Sequence, residues 1–307
     1  MSAEKLNFFR PTWVYKPPNN AFLLNMINTC SLMDLLALSP LLNTVQICRD
    51  LWSLIHAYYR DLTFDINAEK KVFPEASLSM SVTSDVLYIL SRKQTLHQYS
   101  AAKDLSCVSM GNFSFQDVKS LITSNGRLIC EKEGYLAIYD WCGNLMKVIS
   151  YLMPGFMAVN NNSDTLFLLS SRPRNGVEVE SFHLENFSRV SQWKGTYSRS
   201  IIAAFHNIVF VGEYYAQRIK AYTKEGTRLH SIRISMNPSF LACISDTQIV
   251  VAGLSKKDRE WYLLVIDMVN KIVKTLGPIS FPVTGLCVYK NGLYISSPCA
   301  IYHYPAI

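Results

Sequence analysis

Two short β-rich phrases recur at a regular spacing through most of the chain, and this repeat limits the folds that the sequence can adopt. The first phrase carries a large apolar residue at one register, namely Leu87, Leu128, Leu166, Val209, Ile249 and Leu293. The second carries an aromatic or apolar residue, namely Tyr99, Tyr139, Phe182, Tyr222, Ile266 and Tyr304. Successive members of each set stand about 40 residues apart, a period that indicates a repeat architecture.

Turn-forming residues stand just before each member of the first set. They are Ser84-Asp85, Asn125-Gly126, Ser163-Asp164, His206-Asn207, Ser245-Asp246 and Asn291-Gly292. Asp, Asn and Gly favour tight turns because they tolerate a left-handed backbone or hydrogen-bond to their own main chain. Further strand patterns lie on either side, for example at 118–123 and 145–152. Each unit is therefore predicted to be a four-stranded antiparallel meander.

A single meander of this kind has two apolar faces that it cannot bury alone. Six of them stacked around an axis bury both faces, so we predict a mainly β fold, a six-bladed β-propeller over residues 62–307. An open array of sheets or a β-sandwich is the alternative. The last unit has only three strand patterns, and residues 62–66 (LTFDI) alternate apolar and polar side chains. We expect this segment to supply the missing strand and to close the ring.

One unit contains a phrase that is typical of a known propeller class. Residues 212–226 place Arg218-Ile219 before the third strand and Gly226 after it, and residues 134–143 repeat the phrase more weakly. The units lack the Gly-His and Trp-Asp marks of WD repeats and the Gly-Gly of kelch repeats. The pattern resembles the NHL class of six-bladed propellers, and this resemblance concerns the fold more than the function.

The segment 19–60 has apolar residues at helical spacing. Three short helices are predicted there, at about 19–30, 31–38 and 44–60. Helices this short bury little surface by themselves, so they are expected to pack on the propeller or on a partner. The predicted organisation is an extension at 1–18, a helical segment at 19–60 and the propeller at 62–307.

The helical segment resembles an F-box. Pro17-Pro18 precede an apolar helix, which is followed by residues 31–39 (SLMDLLALS), residues 47–49 (ICR) and Trp52. The resemblance implies that apolar stripes on two helices contact the Skp-type adaptor of a cullin ubiquitin ligase. The implied contact residues are Pro18, Phe22, Leu23, Met26, Ile27, Leu32, Leu35 and Leu36. The alternative is a helical cap in which the same side chains pack on the propeller of this chain.

Motifs that carry catalytic or metal chemistry are missing from the sequence. The eight cysteines include no C-x-x-C pair, and the six histidines stand singly. No nucleophile elbow, phosphate-binding loop or dinucleotide fingerprint is present. Some six-bladed propellers are calcium-dependent lactonases, but Asp164, Asp246 and Asn291 lie in the repeating turns. We expect no enzyme activity, cofactor or metal site.

The N-terminus has no apolar leader and the chain has no long apolar run, so no membrane association is expected and the location is predicted to be cytoplasmic or nuclear.

A basic surface with tyrosines is predicted on one face of the ring. In a propeller, the loops between second and third strands share a face with the connectors between blades. The predicted target-binding residues there are Arg172, Arg174, Tyr197, Arg199, Tyr214, Tyr215, Lys256, Lys257 and Arg259. Between residues 172 and 233 there are ten Lys or Arg and five Glu. Such a surface suits an acidic or phosphorylated peptide, and it also suits single-stranded RNA, whose bases stack on aromatic rings. A solvated mixed-charge face with no ligand is the alternative.

These patterns predict a non-enzymatic adaptor, the substrate-recognition subunit of an SCF-type cullin ubiquitin ligase. The helical segment would bind the Skp-type adaptor and the ligase core, and the propeller would bind the target protein. The alternative is a propeller scaffold or RNA-binding module with no ubiquitin-ligase link.

Overall fold

The computed structural model of the chain describes residues 70–73, 77–83, 86–100, 107–115, 117–124, 126–150, 156–160, 164–172, 176–196, 200–289 and 292–305. The helices predicted at 19–60 lie outside these residues, and the predicted domain boundaries stay predictions. Within the described part, the regular elements are β-strands. This part of the chain also contains no helix that is long and apolar enough to cross a membrane.

The strands follow one another with short connections. In chain order they are β1 (Lys70–Phe73), β2 (Ser77–Thr83), β3 (Val86–Ser91), β4 (Thr95–Ser100), β5 (Cys107–Ser114), β6 (Ser120–Ser124), β7 (Arg127–Lys132), β8 (Tyr135–Asp140), β9 (Leu145–Ser150), β10 (Met157–Val159), β11 (Thr165–Arg172), β12 (Gly176–His183), β13 (Arg189–Thr196), β14 (Ser200–Phe205), β15 (Ile208–Glu213), β16 (Arg218–Thr223), β17 (Arg228–Arg233), β18 (Met236–Cys243), β19 (Gln248–Ser255), β20 (Trp261–Asp267), β21 (Ile272–Ile279), β22 (Gly285–Tyr289), β23 (Gly292–Ser296) and β24 (Ile301–Pro305).

These strands form six separate antiparallel sheets of four strands each. Numbered as blades from the inner to the outer strand, they are β2-β3-β4-β5 (blade 1), β6-β7-β8-β9 (blade 2), β10-β11-β12-β13 (blade 3), β14-β15-β16-β17 (blade 4), β18-β19-β20-β21 (blade 5) and β22-β23-β24-β1 (blade 6). Each inner strand contacts the inner strands of both neighbouring blades, and β22 contacts β2. The prediction of a six-bladed propeller with four-stranded blades is confirmed.

The two repeated phrases of the sequence meet in every blade. The first set lies on second strands and the second set on third strands, and their members are direct cross-strand partners: Leu87↔Tyr99, Leu128↔Tyr139, Leu166↔Phe182, Val209↔Tyr222, Ile249↔Ile266 and Leu293↔Tyr304. All six residues of the first set are fully buried. The period of the sequence is therefore the period of the packing between blades.

Apolar clusters join neighbouring blades to one another. One cluster combines Phe210 and Ile219 of blade 4 with Ile249 and Leu264 of blade 5. Aromatic pairs add to these contacts: the rings of Tyr88 and Trp141, from blades 1 and 2, stack with centroids 4.9 Å apart. Pairs of this kind contribute about 0.5–1.5 kcal/mol beyond the area that they bury.

The strand that closes the ring differs from the predicted one. The outer strand of blade 6 is β1, Lys70–Phe73, which pairs antiparallel with β24. The predicted segment, 62–66, lies outside the described residues, and its assignment to this position is wrong. The connectors between other blades are short: the shortest is residues 234–235 and the longest is residues 151–156. Only residues 74–76 join β1 to β2, so β1 meets the same requirement for a short connector, which the earlier segment does not.

Candidate functional site

The topology of the blades decides which loops share a face. Because successive strands are antiparallel, the loops that join second to third strands lie on the same side as the connectors between blades. We call this side the connector face. The turns that join first to second and third to fourth strands lie on the other side, the turn face.

Two tyrosines lie on the connector face of blade 4. Tyr214 and Tyr215 follow β15 directly, and their rings form an edge-to-face pair with centroids 5.2 Å apart. Tyr215 is 66 % exposed, which is unusual for so large an aromatic side chain. Its ring is therefore open to a ligand that stacks on it.

Three cations lie on the same face in the neighbouring blade 5. Lys256, Lys257 and Arg259 are exposed in the loop between β19 and β20. The loop also holds two exposed acids, Asp258 and Glu260. Asp258 is hydrogen-bonded within the loop: the Tyr262 hydroxyl donates to Asp258 Oδ2 at 2.8 Å, and the Glu260 amide donates to Asp258 Oδ1 at 3.2 Å. Three cations and two acids are therefore exposed together in this loop, and one of the acids, Asp258, is occupied by hydrogen bonds within the loop.

Hydrogen bonding also sets the charge states in this loop. Side-chain hydrogen bonds from Ser255 and Tyr262 hold the pKa of the Asp258 carboxyl below its usual range. The hydrogen bond to Asp258 also raises the pKa of the donor, the Tyr262 phenol, to about 12. At neutral pH the pair is therefore a carboxylate bound by a neutral phenol.

Two further arginines lie at the connector-face end of blade 4. Arg218 begins β16 and Arg233 ends β17, and the two are direct cross-strand partners. Like charges in this position repel each other. On its other side, Arg218 has Glu213 as its direct cross-strand partner. Glu213 accepts a hydrogen bond of 2.7 Å from Lys220 Nζ, and both of those side chains are largely buried. A negatively charged ligand would relieve the repulsion between the two arginines.

The structure brings part of the predicted target-binding set onto this face. Tyr214, Tyr215, Lys256, Lys257 and Arg259 lie in equivalent loops of adjacent blades. Arg172 ends β11 in blade 3, at the same face. The other predicted residues, Arg174, Tyr197 and Arg199, lie outside the described residues. The residues predicted to bind the Skp-type adaptor, from Pro18 to Leu36, also lie outside them.

Sequence reasoning missed two other cations of the connector face. Arg92 and Lys93 are exposed in the equivalent loop of blade 1. The repeat itself could have identified them, because they stand between second- and third-strand phrases as Tyr214 and Lys256 do. Arg218 and Arg233 were missed for another reason: only the pairing of β16 with β17 shows that they are neighbours.

The central channel has little chemistry of its own. It encloses about 800 Å³ and is lined by the six inner strands. Among its described lining residues, the charged ones are Lys119 and Glu131. Glu131 accepts a hydrogen bond of 2.6 Å from the Ser120 hydroxyl. The lining is otherwise apolar or weakly polar.

Polar residues of the turn face bind one another from blade to blade. The Asn160 amide donates to Asp164 Oδ1 and to the backbone oxygen of His206. His206 Nδ1 lies 3.0 Å from Asp246 Oδ1, which links blades 4 and 5. In the described part of the chain, no group of three His, Cys, Asp or Glu side chains is placed to hold a metal ion. Asp164 and Asp246 thus have structural partners, as the turn pattern predicts.

Comparison with known proteins gives similarity of fold and none of sequence. No family model matches the chain, and no curated protein matches it. Among solved structures, the WD40 repeats of RRP9 align with a TM-score of 0.59 at 9 % identity, covering 80 % of this chain and all of that one. U3-55K aligns with a TM-score of 0.59 at 8 % identity, covering 79 % of this chain and all of that one.

A designed protein is also similar. The computationally designed Ika8 protein aligns with a TM-score of 0.51 at 12 % identity, covering 73 % of this chain and 69 % of that one. The phrase that resembles NHL repeats does flank a third strand, since Arg218 begins β16 and Gly226 follows it. Membership of the NHL class stays a prediction. The comparisons show that the described chain has a propeller fold.

Proposed function

We propose that this protein is a non-enzymatic binding scaffold whose connector face captures single-stranded RNA at blades 4 and 5. The observation that carries the proposal is the exposed ring of Tyr215, which pairs with the half-buried Tyr214, in a loop equivalent to the one that exposes three cations in the adjacent blade. Tyr215 offers an exposed ring for a base, and Lys256, Lys257 and Arg259 offer charges for phosphates. Stacking on aromatic rings with cations along the backbone is the usual way in which proteins hold single strands.

The paired arginines support an anionic ligand in particular. Arg218 and Arg233 stand opposite each other at the same end of the blade. Glu213, the other cross-strand partner of Arg218, offsets part of their repulsion, and a phosphate bound between the two arginines would be attracted by both. Arg172, Arg174, Tyr197 and Arg199 of the predicted set would extend this surface toward blade 3.

A binding measurement with labelled oligouridine tests the proposal. We expect Tyr215→Ala to weaken binding by about 1–3 kcal/mol, which is the contribution of one stacked base. We expect Lys256→Ala with Lys257→Ala to flatten the dependence of log K on log salt by roughly 0.7 for each phosphate that is no longer neutralised. The matched control is Lys271→Ala, an exposed lysine on the turn face.

Two results would contradict RNA binding. One is the absence of measurable binding at low salt, and the other is an affinity that Tyr215→Ala leaves unchanged. If polyglutamate binds in place of RNA and responds to the same lysine variants, the face recognises an acidic protein and not a nucleic acid.

We further propose, from the F-box-like pattern of the N-terminal sequence, a link to a cullin ubiquitin ligase. The propeller would then bring its target close to the ligase and raise the local concentration of the target there. Co-purification with a Skp-type adaptor tests this link, and Leu35→Asp with Leu36→Asp is expected to abolish it. A wild-type chain that fails to bind the adaptor, or a variant that loses only stability, would argue for a helical cap.

A further inference from the structure

The outer strands of blades 2 and 5 differ from those of blades 3 and 4. The first strand, β9, begins Leu-Met-Lys-Val-Ile, and the equivalent strand β21 begins Ile-Val-Lys-Thr-Leu. The outer strands β13 and β17 begin Arg-Val-Ser-Gln-Trp and Arg-Leu-His-Ser-Ile. Blades 2 and 5 thus share an edge in which one lysine stands among apolar residues.

These two edges expose their apolar side chains. Leu145 and Met146 of β9 are 57 % and 51 % exposed, and Ile272 and Val273 of β21 are 53 % and 41 % exposed. The edges β13 and β17 each expose a single large apolar residue, Val190 and Leu229. Isolated apolar residues at a surface are ordinary, but consecutive ones on a strand edge are not.

The main chain of β9 and of the part of β21 before Pro278 is also available. Each strand is the last of its sheet, so no strand among the described residues pairs with its outer side. An edge of this kind presents a row of amide and carbonyl groups that an extended peptide can pair with. The exposed apolar side chains would flank that peptide on both faces of the enlarged sheet.

The charge of the two edges defines what they can accept. Neither β9 nor β21 contains an acidic residue, and each has one lysine, Lys147 or Lys274, at its third position. The acids that precede them are bound within their turns. Asp140 accepts from the Asn144 amide and side chain, and Asp267 accepts from those of Asn270 in the same way.

A second copy of this chain is a poor occupant. In the antiparallel register that is centred on the lysine, β9 of one copy would place Lys147 opposite Lys147 of another. Pairing β9 with β21 would place Lys147 opposite Lys274. Like charges directly across two strands destabilise the pair. The fitting occupant is a strand from another protein with an acid at its centre.

We propose that the outer edges of blades 2 and 5 are two equivalent docking sites for extended partner segments in which apolar residues flank an Asp or Glu. Each segment pairs with β9 or β21 through the main chain, and its acid faces Lys147 or Lys274. In a ring of six blades, the second and the fifth lie opposite each other. The protein therefore holds two partner strands at once, on opposite sides, independently of the connector face.

Selection from a displayed library of random linear peptides on the full chain tests the proposal. We expect the enriched peptides to alternate apolar residues around an Asp or Glu and to bind two per chain. They are expected to protect the amides of β9 and β21 from hydrogen exchange. Lys147→Glu and Lys274→Glu should each weaken one of the two sites roughly tenfold and leave the other unchanged.

The double variant tests whether the peptides are recognised through their acid or bind only through their apolar residues. Lys147→Glu with Lys274→Glu should weaken the enriched peptides roughly tenfold, because each attractive cross-strand pair becomes repulsive. The same peptides with Lys in place of the acid should prefer this variant. Lys147→Arg with Lys274→Arg should bind like the wild type, and so should Arg189→Glu with Arg228→Glu on the other two edges.

Three outcomes would overturn the proposal: a selection that enriches nothing, enriched peptides that bind wild type and double variant equally, or protection of amides outside β9 and β21. The lysines would then serve only to keep free edges from aggregating. Tyr215→Ala is expected to leave peptide binding unchanged, so this test and that of RNA binding fail independently.

Discussion

Gly226 lies in the turn after β16, and its backbone φ is +94°. Blade 3 packs close to this turn. A Cβ atom at this position would overlap the indole of Trp193, which packs between blades 3 and 4. We expect Gly226→Ala to lower the free energy of unfolding by about 2–4 kcal/mol, because it combines backbone strain with overpacking. Urea denaturation gives this value directly.

The matched control for this glycine is Gly134. It has a similar φ of +79°, but an added Cβ would meet nothing within 4 Å. Gly134→Ala should therefore lose only the strain of a left-handed backbone, about 1 kcal/mol. Equal losses in the two variants would mean that the Trp193 contact does not restrict residue 226.

Tyr262 provides a pH-dependent signal within the candidate site. Its pKa of about 12 results first from the hydrogen bond to Asp258. A phenol whose pKa is raised on folding contributes stability below its unfolded value, about 10, and loses that contribution as the pH rises through the folded value. The Tyr262 phenol is therefore expected to stop stabilising the fold only at alkaline pH.

Difference titration of tyrosinate absorbance between wild type and Tyr262→Phe isolates this phenol. Asp258→Asn should move the titration of Tyr262 back toward pH 10, since an amide binds the neutral phenol no better than water does. A titration that is unchanged in Asp258→Asn would rule out the hydrogen bond as the cause.

The inner strands of blades 1 and 2 show how adjacent elements are joined without a sheet between them. Ser79 Oγ accepts from the Leu121 amide at 3.0 Å and donates to the Leu121 carbonyl at 3.1 Å. Ser81 Oγ accepts from the Thr123 amide and lies 2.9 Å from Thr123 Oγ1. Serines at alternate positions of β2 thus replace the main-chain hydrogen bonds of a sheet.

Removing one of these hydroxyls leaves buried main-chain groups without a partner. We expect Ser79→Ala to lower the free energy of unfolding by about 1–3 kcal/mol and to speed hydrogen exchange at Leu121. The control is Ser239→Ala on β18, whose hydroxyl, among the described residues, donates to the Asn237 carbonyl of its own strand. That change should stay within about 0.5 kcal/mol. A Leu121 amide that exchanges at the wild-type rate in Ser79→Ala would contradict this role.

At the scale of the element, the alternation of apolar and polar residues determines which strands can be predicted from the sequence. The second strands are predictable because each carries a fully buried residue of the first phrase directly opposite one of the second. The outer strands β9, β17 and β21 are less predictable because most of their side chains are exposed, so their apolar patterns are weak. The strand β1, Lys70–Phe73, has only four residues and begins with two lysines, so its apolar pattern is short and a more apolar segment was preferred.

At the scale of the whole molecule, the ring depends on a strand from the N-terminal side of the propeller. Since β1 pairs with β24, a chain that begins at residue 77 would leave blade 6 with three strands and an open edge. We expect it to lose at least about 3 kcal/mol, which lowers the melting temperature by roughly 6–12 °C for a domain of this size.

A chain that begins at residue 70 keeps β1 and provides the comparison. It should retain the cooperative unfolding and the melting temperature of the propeller. Loss of both in this shorter truncation would show that residues before 70 contribute to closure, as the 62–66 prediction has it.

Sequence alone was sufficient for the blade count and the four-stranded meander. Both of these follow from local periodicity and turn chemistry, which leave their pattern in the order of residues. The same reasoning placed Tyr214, Tyr215 and the lysines of blade 5 on one face, because alternating strand direction is a consequence of the meander.

The tertiary structure alone decided which strand closes the ring, that Arg218 faces Arg233, and that two opposite blades share one kind of edge. Closure of the ring depends on the length of the connector and on the outer edge of β24, which needs a strand to pair with. Neither requirement can be seen in the sequence of Lys70–Phe73 itself. The arginine pair and the similar edges depend on pairing and exposure, which arise only when residues distant in the chain are brought into one sheet.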